Sequence, residues 1–275
     1  MSPLGGPAVR CGVRGSPVEH SLSPVLHRAA YQALGLTAWS YDRVRVEDAE
    51  LAAHVRGLDE SWRGLSLTMP LKEAAFGIVR EASALAVRVG AINTLLHDPH
   101  GWTGHNTDVH GIVAAIREGG TAAPRSAVVV GSGATARSAV AALAELGAAA
   151  VGFMVRDGVR PRTAALSAVL GLDIRELAMG HWPFGADVVI GTIPAAGYAG
   201  ALGALPSAPD GAVILDCVYG DGPSPLLGVG RELGYAAVPG TVMLLHQAAE
   251  QVRLMTGRPA PVEAMRAALA AALDD

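Results

Sequence analysis

The residues best suited to chemistry in this chain fall in one stretch, between Lys72 and Asp108. Lys72, in the segment SLTMPLKE, is the only lysine among 275 residues, although Lys and Arg together number 21. Both asparagines of the chain, Asn93 and Asn106, lie in the same stretch. Because arginine does not deprotonate in proteins whereas lysine can exchange its proton, the retained lysine indicates a proton-transfer group. The pattern predicts a polar site in which Lys72 moves a proton.

An ordinary surface charge is the alternative interpretation of Lys72, since lysine is seldom fully buried unless it is paired. The composition argues against this alternative. The chain is rich in Ala, Gly, Arg and Val, and apart from Lys72 all of its 21 Lys and Arg residues are arginine. A lysine kept against this bias indicates a requirement that arginine does not meet.

Short apolar runs alternate with helical patterns over the first hundred residues, which predicts an α/β domain around these polar residues. Strands are predicted at Ala8–Val13, Trp39–Val44, Arg63–Thr68, Ala91–Asp98 and Gly101–His105. Helices are predicted from Ser23 (as N-cap, with Pro24 in the first turn) to Gly35, from Val46 to Gly57, from Pro70 to Glu81, and from His105 to Gly120 with Asp108 in the first turn.

The second half of the chain has the pattern of a parallel sheet with a glycine turn. SAVVVGSGATA reads as a buried strand, a turn and a helix start, and it fits G-x-G-x-x-[GA] at Gly131, Gly133 and Ala136. A second strand follows the helix, and ADVVIGTIP and GAVILDCVYG read as further buried strands. A glycine turn in this βαβ context indicates dinucleotide binding, because the backbone and the helix N-terminus can approach a pyrophosphate.

The residues after the second strand decide which dinucleotide is favoured. NAD sites usually end this strand in an acid that binds the ribose hydroxyls, but Val155 takes that place here. Arg156 follows directly, and Arg160 lies one turn further. Two guanidinium groups suit a 2′-phosphate, so NADP is favoured. Asp157, between them, leaves NAD as an alternative.

These patterns predict two α/β domains with a cleft between them. The first comprises residues 1–104 with the C-terminal helices at about 239–275, and the second, which binds the dinucleotide, comprises residues 105–238.

The bulk composition limits the classes of partner. The net charge is −4, the pI is about 6.1 and there is no basic tract, so neither a nucleic acid nor an anionic membrane is expected. No apolar run approaches membrane-spanning length, and two well-separated cysteines, Cys11 and Cys217, are typical of a reduced cytoplasmic protein. The histidine spacing matches no standard metal signature, so no metal is expected. The sequence leaves open whether the chain forms a homodimer.

Eight segments, in order along the chain, resemble motifs of the shikimate dehydrogenase family. They are GSPVEHSLSPVLH, SLTMPLK, GAINT, GHNTDVHG, GSGATA, VRDGVR, DCVYGDGPSPLL and GTVMLLHQ. The resemblance runs from Gly15 to Gln247 and covers nearly the whole chain. It implies an α/β fold with an N-terminal substrate domain, a C-terminal Rossmann-like NADP-binding domain and a cleft between them.

The resemblance also implies an activity and a set of site residues. The activity is the NADPH-dependent reduction of 3-dehydroshikimate to shikimate, on the route to chorismate and the aromatic amino acids. Lys72 and Asp108 would be the catalytic pair. Seven residues would bind substrate: Ser21 and Ser23 at the carboxylate with Tyr219 near the same end, and Thr68, Asn93, Asp108 and Gln247 at the ring hydroxyls. NADP would be held by Gly131, Ser132, Gly133, Ala134, Thr135, Arg156 and Arg160, with Val218, Gly240 and Met243 lining the nicotinamide pocket.

The chain departs from the family motifs at three places. The family usually has asparagine where this chain has Ser66, and its Asn and Thr in the phosphate clamp are Val155 and Asp157 here. The family's INAT segment is IGTI at Ile190–Ile193, which predicts a different seating of that loop.

Three alternative functions stay open at this point. A quinate or aminoshikimate dehydrogenase of the same family would act on a related ring acid. A sensor that binds NADP or shikimate without catalysis would use the same scaffold but would not need a titratable lysine beside an aspartate. A reductase with another substrate would require the motifs of the first domain to be accidental.

Overall fold

The structure, a computed structural model, describes residues 8–182, 185–220 and 222–274. The chain divides into two compact units, one formed by the residues up to Thr107 together with those from Gln247, the other by Asp108–His246. The sequence-based division at 104/105 and about 238/239 differs from these bounds.

The first unit is built on a six-stranded mixed sheet. Its elements are β1 Val9–Gly15, α1 Ser23–Ala33, β2 Trp39–Arg45, α2 Leu51–Arg56, β3 Trp62–Leu67, β4 Glu81–Ala82, α3 Ala84–Val89, β5 Thr94–Asp98, β6 Gly101–His105 and α9 Val262–Asp274, with 3₁₀ turns at Asp48–Glu50 and Ala74–Gly77. The strand order is β2-β1-β3-β5-β6-β4. Strand β1 is parallel to its neighbours β2 and β3, and β5 is antiparallel to its neighbours β3 and β6. Helix α1 packs against α9 and β2.

The second unit is a six-stranded, fully parallel sheet. Its elements are α4 Asp108–Glu118, β7 Ser126–Val130, α5 Ala134–Glu145, β8 Ala150–Val155, α6 Pro161–Val169, β9 Asp173–Ala178, β10 Val188–Gly191, β11 Val213–Asp216, α7 Pro225–Glu232, β12 Ala236–Pro239 and the first residues of α8 Gly240–Thr256, with a 3₁₀ turn at Ala195–Tyr198. The order is β12-β11-β10-β7-β8-β9, so the winding reverses between β7 and β10. Ligands of doubly wound sheets bind at the carboxyl ends of the strands at such a reversal.

Each unit has its own apolar core, which explains the buried runs noted in the sequence. In the first unit Leu65, Leu71 and Ile92 are fully buried in one cluster. In the second, Val128 and Val189 belong to a separate cluster beneath the parallel sheet. The predicted α/β class with a parallel second sheet is confirmed.

The helix predicted from Pro70 to Glu81 is wrong. This segment forms consecutive turns, then the 3₁₀ turn and β4. The carbonyl oxygen of Lys72, which an α-helix would bond to Phe76, instead accepts a 2.8 Å hydrogen bond from the N–H of Ile92, and the Phe76 N–H bonds to Glu73. A partner distant in sequence thus takes the acceptor on which a helix would depend.

Other local predictions need smaller corrections. Helix α1 begins at Ser23 itself, and its N-cap is Leu22 rather than Ser23. The two-residue strand β4, helix α3 and the outer strands β9 and β12 were not predicted. The hairpin around Pro99 is confirmed, with Asp98 opposite Gly101, as is Asp108 in the first turn of α4.

Candidate active site

The segments that carry Lys72 and Asn93 are joined by backbone hydrogen bonds in the first unit. The N–H of Ile92 donates to Lys72 at 2.8 Å, and the N–H of Leu67 donates to the carbonyl of Asn93 at 2.7 Å. Lys72 is half-buried, whereas Asn93 is only 1% exposed. The backbone at Lys72 is therefore bonded to the residue directly before Asn93. That their side chains form one polar site stays a prediction.

The serine loop after β1 contacts the same segment. The N–H of Ser16 donates to the carbonyl of Met69 at 2.9 Å. Gly15 lies so close to Thr68 that a Cβ there would be 2.2 Å from the Thr68 methyl carbon. Further along the loop, the N–H of Ser23 bonds to the Ser21 hydroxyl at 3.3 Å. Backbone contact between the loop and the Thr68 turn thus brings the first two motifs together.

The third and fourth motifs meet through the side chain of Asn93. Its Oδ1 accepts a hydrogen bond from the N–H of Thr107 at 2.8 Å, and its Nδ2 donates to Thr107 Oγ1 at 2.9 Å. The Nδ2 also donates to Oε1 of Gln247 on α8 at 3.2 Å. Nearby, Asn106 donates to the carbonyl of Ala91 at 3.0 Å. Five of the seven predicted substrate residues, with Lys72, thus lie on segments of the first unit that contact one another directly.

Asp108 begins the second unit and is the next residue along the chain after Thr107. Its side chain is 4% exposed at the first position of α4. A carboxylate in the first turn of a helix is favoured by the helix dipole, so a structural role accompanies any catalytic one.

The glycine turn has the geometry that a dinucleotide requires. Gly131 has φ of +108°, and a Cβ there would lie 2.5 Å from Thr192 Oγ1, so a side chain is excluded on both counts. Gly133 is the N-cap of α5 and has no side chain to accept hydrogen bonds from the first-turn amides. Such amides are the groups that bind phosphate at a helix N-terminus. Ala134 and Thr135 form that first turn.

Arg160 lies against this turn, and it is exposed, as are Arg156 and Asp157 on the loop after β8. The Nη1 of Arg160 is 3.8 Å from the position of a Cβ on Gly133. The Arg160 N–H donates to Ser132 Oγ at 3.3 Å, and Thr163 Oγ1 donates to the Ser132 carbonyl at 2.8 Å. The loop between β8 and α6 is therefore fixed to the glycine turn, with one arginine beside it. These residues fit a dinucleotide that carries an additional phosphate.

The departure from INAT has a steric explanation. A Cβ on Gly191 would lie 2.1 Å from the hydroxyl oxygen of Tyr198 and 2.9 Å from Oδ1 of Asp216. Tyr198 donates to that Oδ1 at 3.4 Å, and Ser224 donates to the other carboxylate oxygen at 2.6 Å. Burial raises the pKa of Asp216. Tyr198 and Asp216 occupy the space that an asparagine side chain would need.

The next residue of the same segment seats it against the glycine turn. Thr192 bonds to the carbonyl of Val130 through both its N–H, at 3.1 Å, and its hydroxyl, at 2.7 Å. Val130 directly precedes Gly131, so IGTI is held to the strand end from which the turn starts.

The predicted nicotinamide residues lie at the ends of β11 and β12. Val218 and Tyr219 are half-buried after β11, and the N–H of Val218 donates to Asp216 Oδ1 at 3.3 Å. Gly240 begins α8, where a Cβ would lie 2.6 Å from the carbonyl oxygen of Asp216. Met243, one turn later, is 7% exposed. Glycine is required at 240 because the backbone after β11 passes so closely.

Gln251, which the sequence analysis did not select, also belongs to the polar cluster of the first unit. Gln251 accepts a hydrogen bond from Ser66 Oγ at 2.8 Å and donates to Thr94 Oγ1 at 2.9 Å. Gln251 lies one helical turn after Gln247 on α8, and this i, i+4 spacing was the available signal.

Two other kinds of site are absent from residues 8–182, 185–220 and 222–274. No group of three or more His, Cys, Asp or Glu side chains there could hold a metal ion. No helix in the same ranges is both long and apolar enough to cross a membrane.

Comparison with known proteins identifies the family. Residues 13–95 match the sequence profile described as the shikimate dehydrogenase substrate binding domain, and residues 240–270 match the shikimate 5'-dehydrogenase C-terminal domain. A protein of Methanothrix thermoacetophila called shikimate dehydrogenase (NADP(+)) is 38% identical over 95% of this chain and 96% of its own.

Solved structures agree with this assignment. The crystal structure of Mycobacterium tuberculosis shikimate dehydrogenase is 43% identical, has a TM-score of 0.88, and the match covers 96% of this chain and 99% of that one. The Thermus thermophilus enzyme in complex with NADP(H) and shikimate is 29% identical with a TM-score of 0.79, over 96% and 99% of the two chains. By sequence and by fold, the chain belongs to the shikimate dehydrogenase family.

Proposed function

We propose that this chain catalyses the reversible, NADPH-dependent reduction of 3-dehydroshikimate to shikimate, the step that serves chorismate and aromatic amino acid biosynthesis. The observation that carries the proposal is the pairing of the Lys72 segment with the Asn93 segment by the hydrogen bonds of Ile92 and Leu67. Membership of the family and the names of the relatives, shikimate dehydrogenase (NADP(+)), supply the substrate and the cofactor.

Lys72 is the proton-transfer group in this proposal. Bound NADPH would supply a hydride, and reduction of the ketone leaves an alkoxide that must gain a proton. The Lys72 ammonium donates that proton, and the neutral amine takes it back in the reverse direction. Arginine cannot do both, which explains the lysine in an arginine-rich chain. Asp108 orients Lys72 and accepts a hydrogen bond from a substrate hydroxyl.

The substrate is held at two ends. Ser21 and Ser23 bind the carboxylate through their hydroxyl groups, with Tyr219 near the same end. Thr68, Asn93 and Gln247 bind the ring hydroxyls. Amide and hydroxyl groups of this kind fix the orientation of a polyhydroxylated ring, because each wrong placement leaves a buried polar group without a partner. In this division of roles, five of the seven substrate residues belong to the first unit, and every cofactor residue belongs to the second.

The cofactor is held by the turn from Gly131 to Thr135. Its amides bond the pyrophosphate, and Arg160, with Arg156, binds the 2′-phosphate. Val218, Gly240 and Met243 shape the pocket for the nicotinamide ring. The position of Arg160 beside Gly133 supports NADP over NAD.

A cytoplasmic location is part of the proposal, because the proposed step serves amino acid biosynthesis. The sequence leaves open whether the chain forms a homodimer, and light scattering on the purified protein tests this.

The test is an absorbance assay of NADPH formation by the purified protein with shikimate and NADP⁺. Quinate with NADP⁺ and shikimate with NAD⁺ are the matched controls. Turnover well above both controls supports the proposal. Turnover on quinate but not on shikimate would assign the chain to the related quinate activity and overturn the proposed substrate. Turnover with NAD⁺ but not with NADP⁺ would overturn the proposed cofactor. Cofactor binding without turnover on either ring acid favours the sensor.

A further inference from the structure

A chain of buried hydrogen bonds runs through the first unit and ends at the proposed substrate residues. Its members come from β2, β3, β5 and α8 and from the segments beside them, and none is more than 7% exposed. They are Tyr41, Ser66, Gln251, Thr94, Asn93, Thr107 and Gln247. Networks of this kind are favourable only when every donor meets an acceptor. A group that can only donate or only accept therefore fixes the direction of the hydrogen bonds next to it.

The backbone of Asn93 fixes the orientation of the Gln251 amide. One end of this amide lies 3.2 Å from the Asn93 carbonyl oxygen, which can only accept a hydrogen bond. The Nε2 must therefore face Asn93, and the same nitrogen donates to Thr94 Oγ1 at 2.9 Å. The Oε1 faces the other way, where Ser66 donates to it at 2.8 Å and His27 Nε2 lies 3.3 Å distant.

Tyr41 sets the direction of the Ser66 hydroxyl. The Tyr41 hydroxyl donates to Ser66 Oγ at 2.6 Å, so the Ser66 hydrogen is directed to Gln251. Ser66 stands where the family usually has an asparagine. In this chain the serine hydroxyl at that place donates to the Gln251 amide.

Gln251 in turn sets the direction of the Thr94 hydroxyl. Because Thr94 Oγ1 accepts from Gln251, its own hydrogen points at Asn93 Oδ1, 2.8 Å away. The N–H of Thr107 donates to the same Oδ1 from another side at 2.8 Å. The Thr107 hydroxyl lies further from this oxygen, at 3.3 Å. With its oxygen held by the two 2.8 Å bonds, the Asn93 carboxamide turns its Nδ2 towards Thr107 Oγ1 and Gln247 Oε1.

We propose that Gln251 is a positioning residue: through Thr94 it holds the Asn93 carboxamide so that, when substrate binds, Nδ2 donates to a substrate hydroxyl in place of its longer, 3.2 Å bond to Gln247 Oε1. This inference rests on the proposed function, in which Asn93 binds a ring hydroxyl. Without the Gln251 donor, the Thr94 hydroxyl can rotate away, and Asn93 Oδ1 loses one of its two short, 2.8 Å hydrogen bonds. The Nδ2 of Asn93 is then held less firmly, so the substrate hydroxyl binds to a group that is free to rotate.

The first test compares Gln251→Met and Thr94→Val, which keep side-chain size, with Thr94→Ser, which keeps the relay hydroxyl. The KM for shikimate should rise about fivefold to tenfold in the first two, the cost of about one hydrogen bond, while the KM for NADP⁺ stays within about twofold. Thr94→Ser should have a KM close to that of the wild type, because serine keeps the hydroxyl. Ser83→Ala is the matched control, because Ser83 caps α3 in the same unit and should affect stability alone.

The second test does not need turnover. The sequence has two asparagines, so ¹⁵N-asparagine labelling gives two side-chain amide pairs, which Asn93→Ala assigns. The Asn93 pair should shift and exchange faster with water in Gln251→Met and in Thr94→Val. The Asn106 pair, bonded to the Ala91 carbonyl, should not move.

The two tests separate this inference from the proposed function. If folded Gln251→Met and Thr94→Val keep both the wild-type KM and the wild-type Asn93 signal, the inference is wrong. If the wild-type protein does not oxidise shikimate, the proposed function fails and the amide signals still decide whether Gln251 positions Asn93. If Gln251→Met does not fold, Thr94→Val alone decides.

Discussion

The carbonyl oxygen of Lys72 accepts a 2.8 Å hydrogen bond from the N–H of Ile92, and Asn93 is the next residue. This bond fixes the backbone of the proposed proton donor to the segment that carries a substrate amide. General acid–base catalysis depends on such placement, because the donor must reach one atom of the bound substrate.

Lys72→Ala should lower kcat about 10²–10⁴-fold and change the KM for shikimate much less, since only proton transfer is lost. Lys72→Arg should not restore activity, because arginine retains its proton. Steady-state assays in both directions measure this, with the exposed Val87→Ala as control. A large rise in KM with kcat intact would reassign Lys72 to binding.

Ser23→Ala should raise the KM for shikimate about tenfold and leave the free energy of unfolding nearly unchanged. The reason is that, in the part of the chain that the structure describes, α1 has no side-chain cap for the substitution to remove. Ser83→Ala should do the opposite, costing about 1 kcal/mol because Ser83 accepts from the N–H of Ala86. Urea unfolding and kinetics on the two variants make the comparison. Equal losses of stability would place Ser23 in a structural role.

Gly131→Ala should weaken NADPH binding at least about tenfold, because the new Cβ meets Thr192 and a positive φ costs about 1–2 kcal/mol. Gly120→Ala is the control. Gly120 has nearly the same φ, +107°, but nothing lies within 4 Å of its Cβ position. It should therefore lose similar stability without losing affinity. Fluorescence titration with NADPH measures the affinity of both variants. Equal affinity in the two would exclude the turn from the cofactor site.

Arg160→Ala should raise the KM for NADP⁺ about tenfold and leave the KM for NAD⁺ within about twofold, since a charge-assisted contact to the 2′-phosphate is lost. Arg162→Ala removes the same charge from an exposed position two residues further along the chain and serves as control. If the two variants behave alike, the preference comes from the overall charge of this loop and not from a contact of Arg160.

The stability of the protein should fall as pH decreases from 6.5 to 5, partly because of His27. This fully buried imidazole stacks on Tyr41, and burial lowers its pKa from 6.5 to about 3. Below pH 6.5 the unfolded chain binds a proton that the folded chain does not, so the free energy of unfolding decreases by up to about 1.4 kcal/mol per pH unit.

Urea unfolding at pH 7.5, 6.5 and 5.5 measures this effect. His27→Phe should flatten the profile, and the exposed His100→Gln should not. Part of the slope should persist in His27→Phe, because burial also lowers the pKa of His54 and His105. An unchanged slope in His27→Phe would show that His27 does not contribute.

The sequence by itself determined the features that depend on neighbours in the chain. The turn at Gly131, the hairpin around Pro99 and the end of α1 before Gly35, with φ of +68°, follow from local backbone preferences. The motifs also identified the family and the residues now proposed for the site, since those residues are chemically distinctive in this composition. The parallel second sheet followed from the βαβ pattern.

The tertiary structure alone decided how polar groups far apart in sequence are paired. Residues 70–81 do not form the predicted helix, because the N–H of Ile92 takes the Lys72 carbonyl. Ser66 and Gln251 are 185 residues apart, and no local pattern indicates that one donates to the other. A buried polar group must find a partner wherever the fold supplies one, and sequence periodicity carries no information about which partner that is.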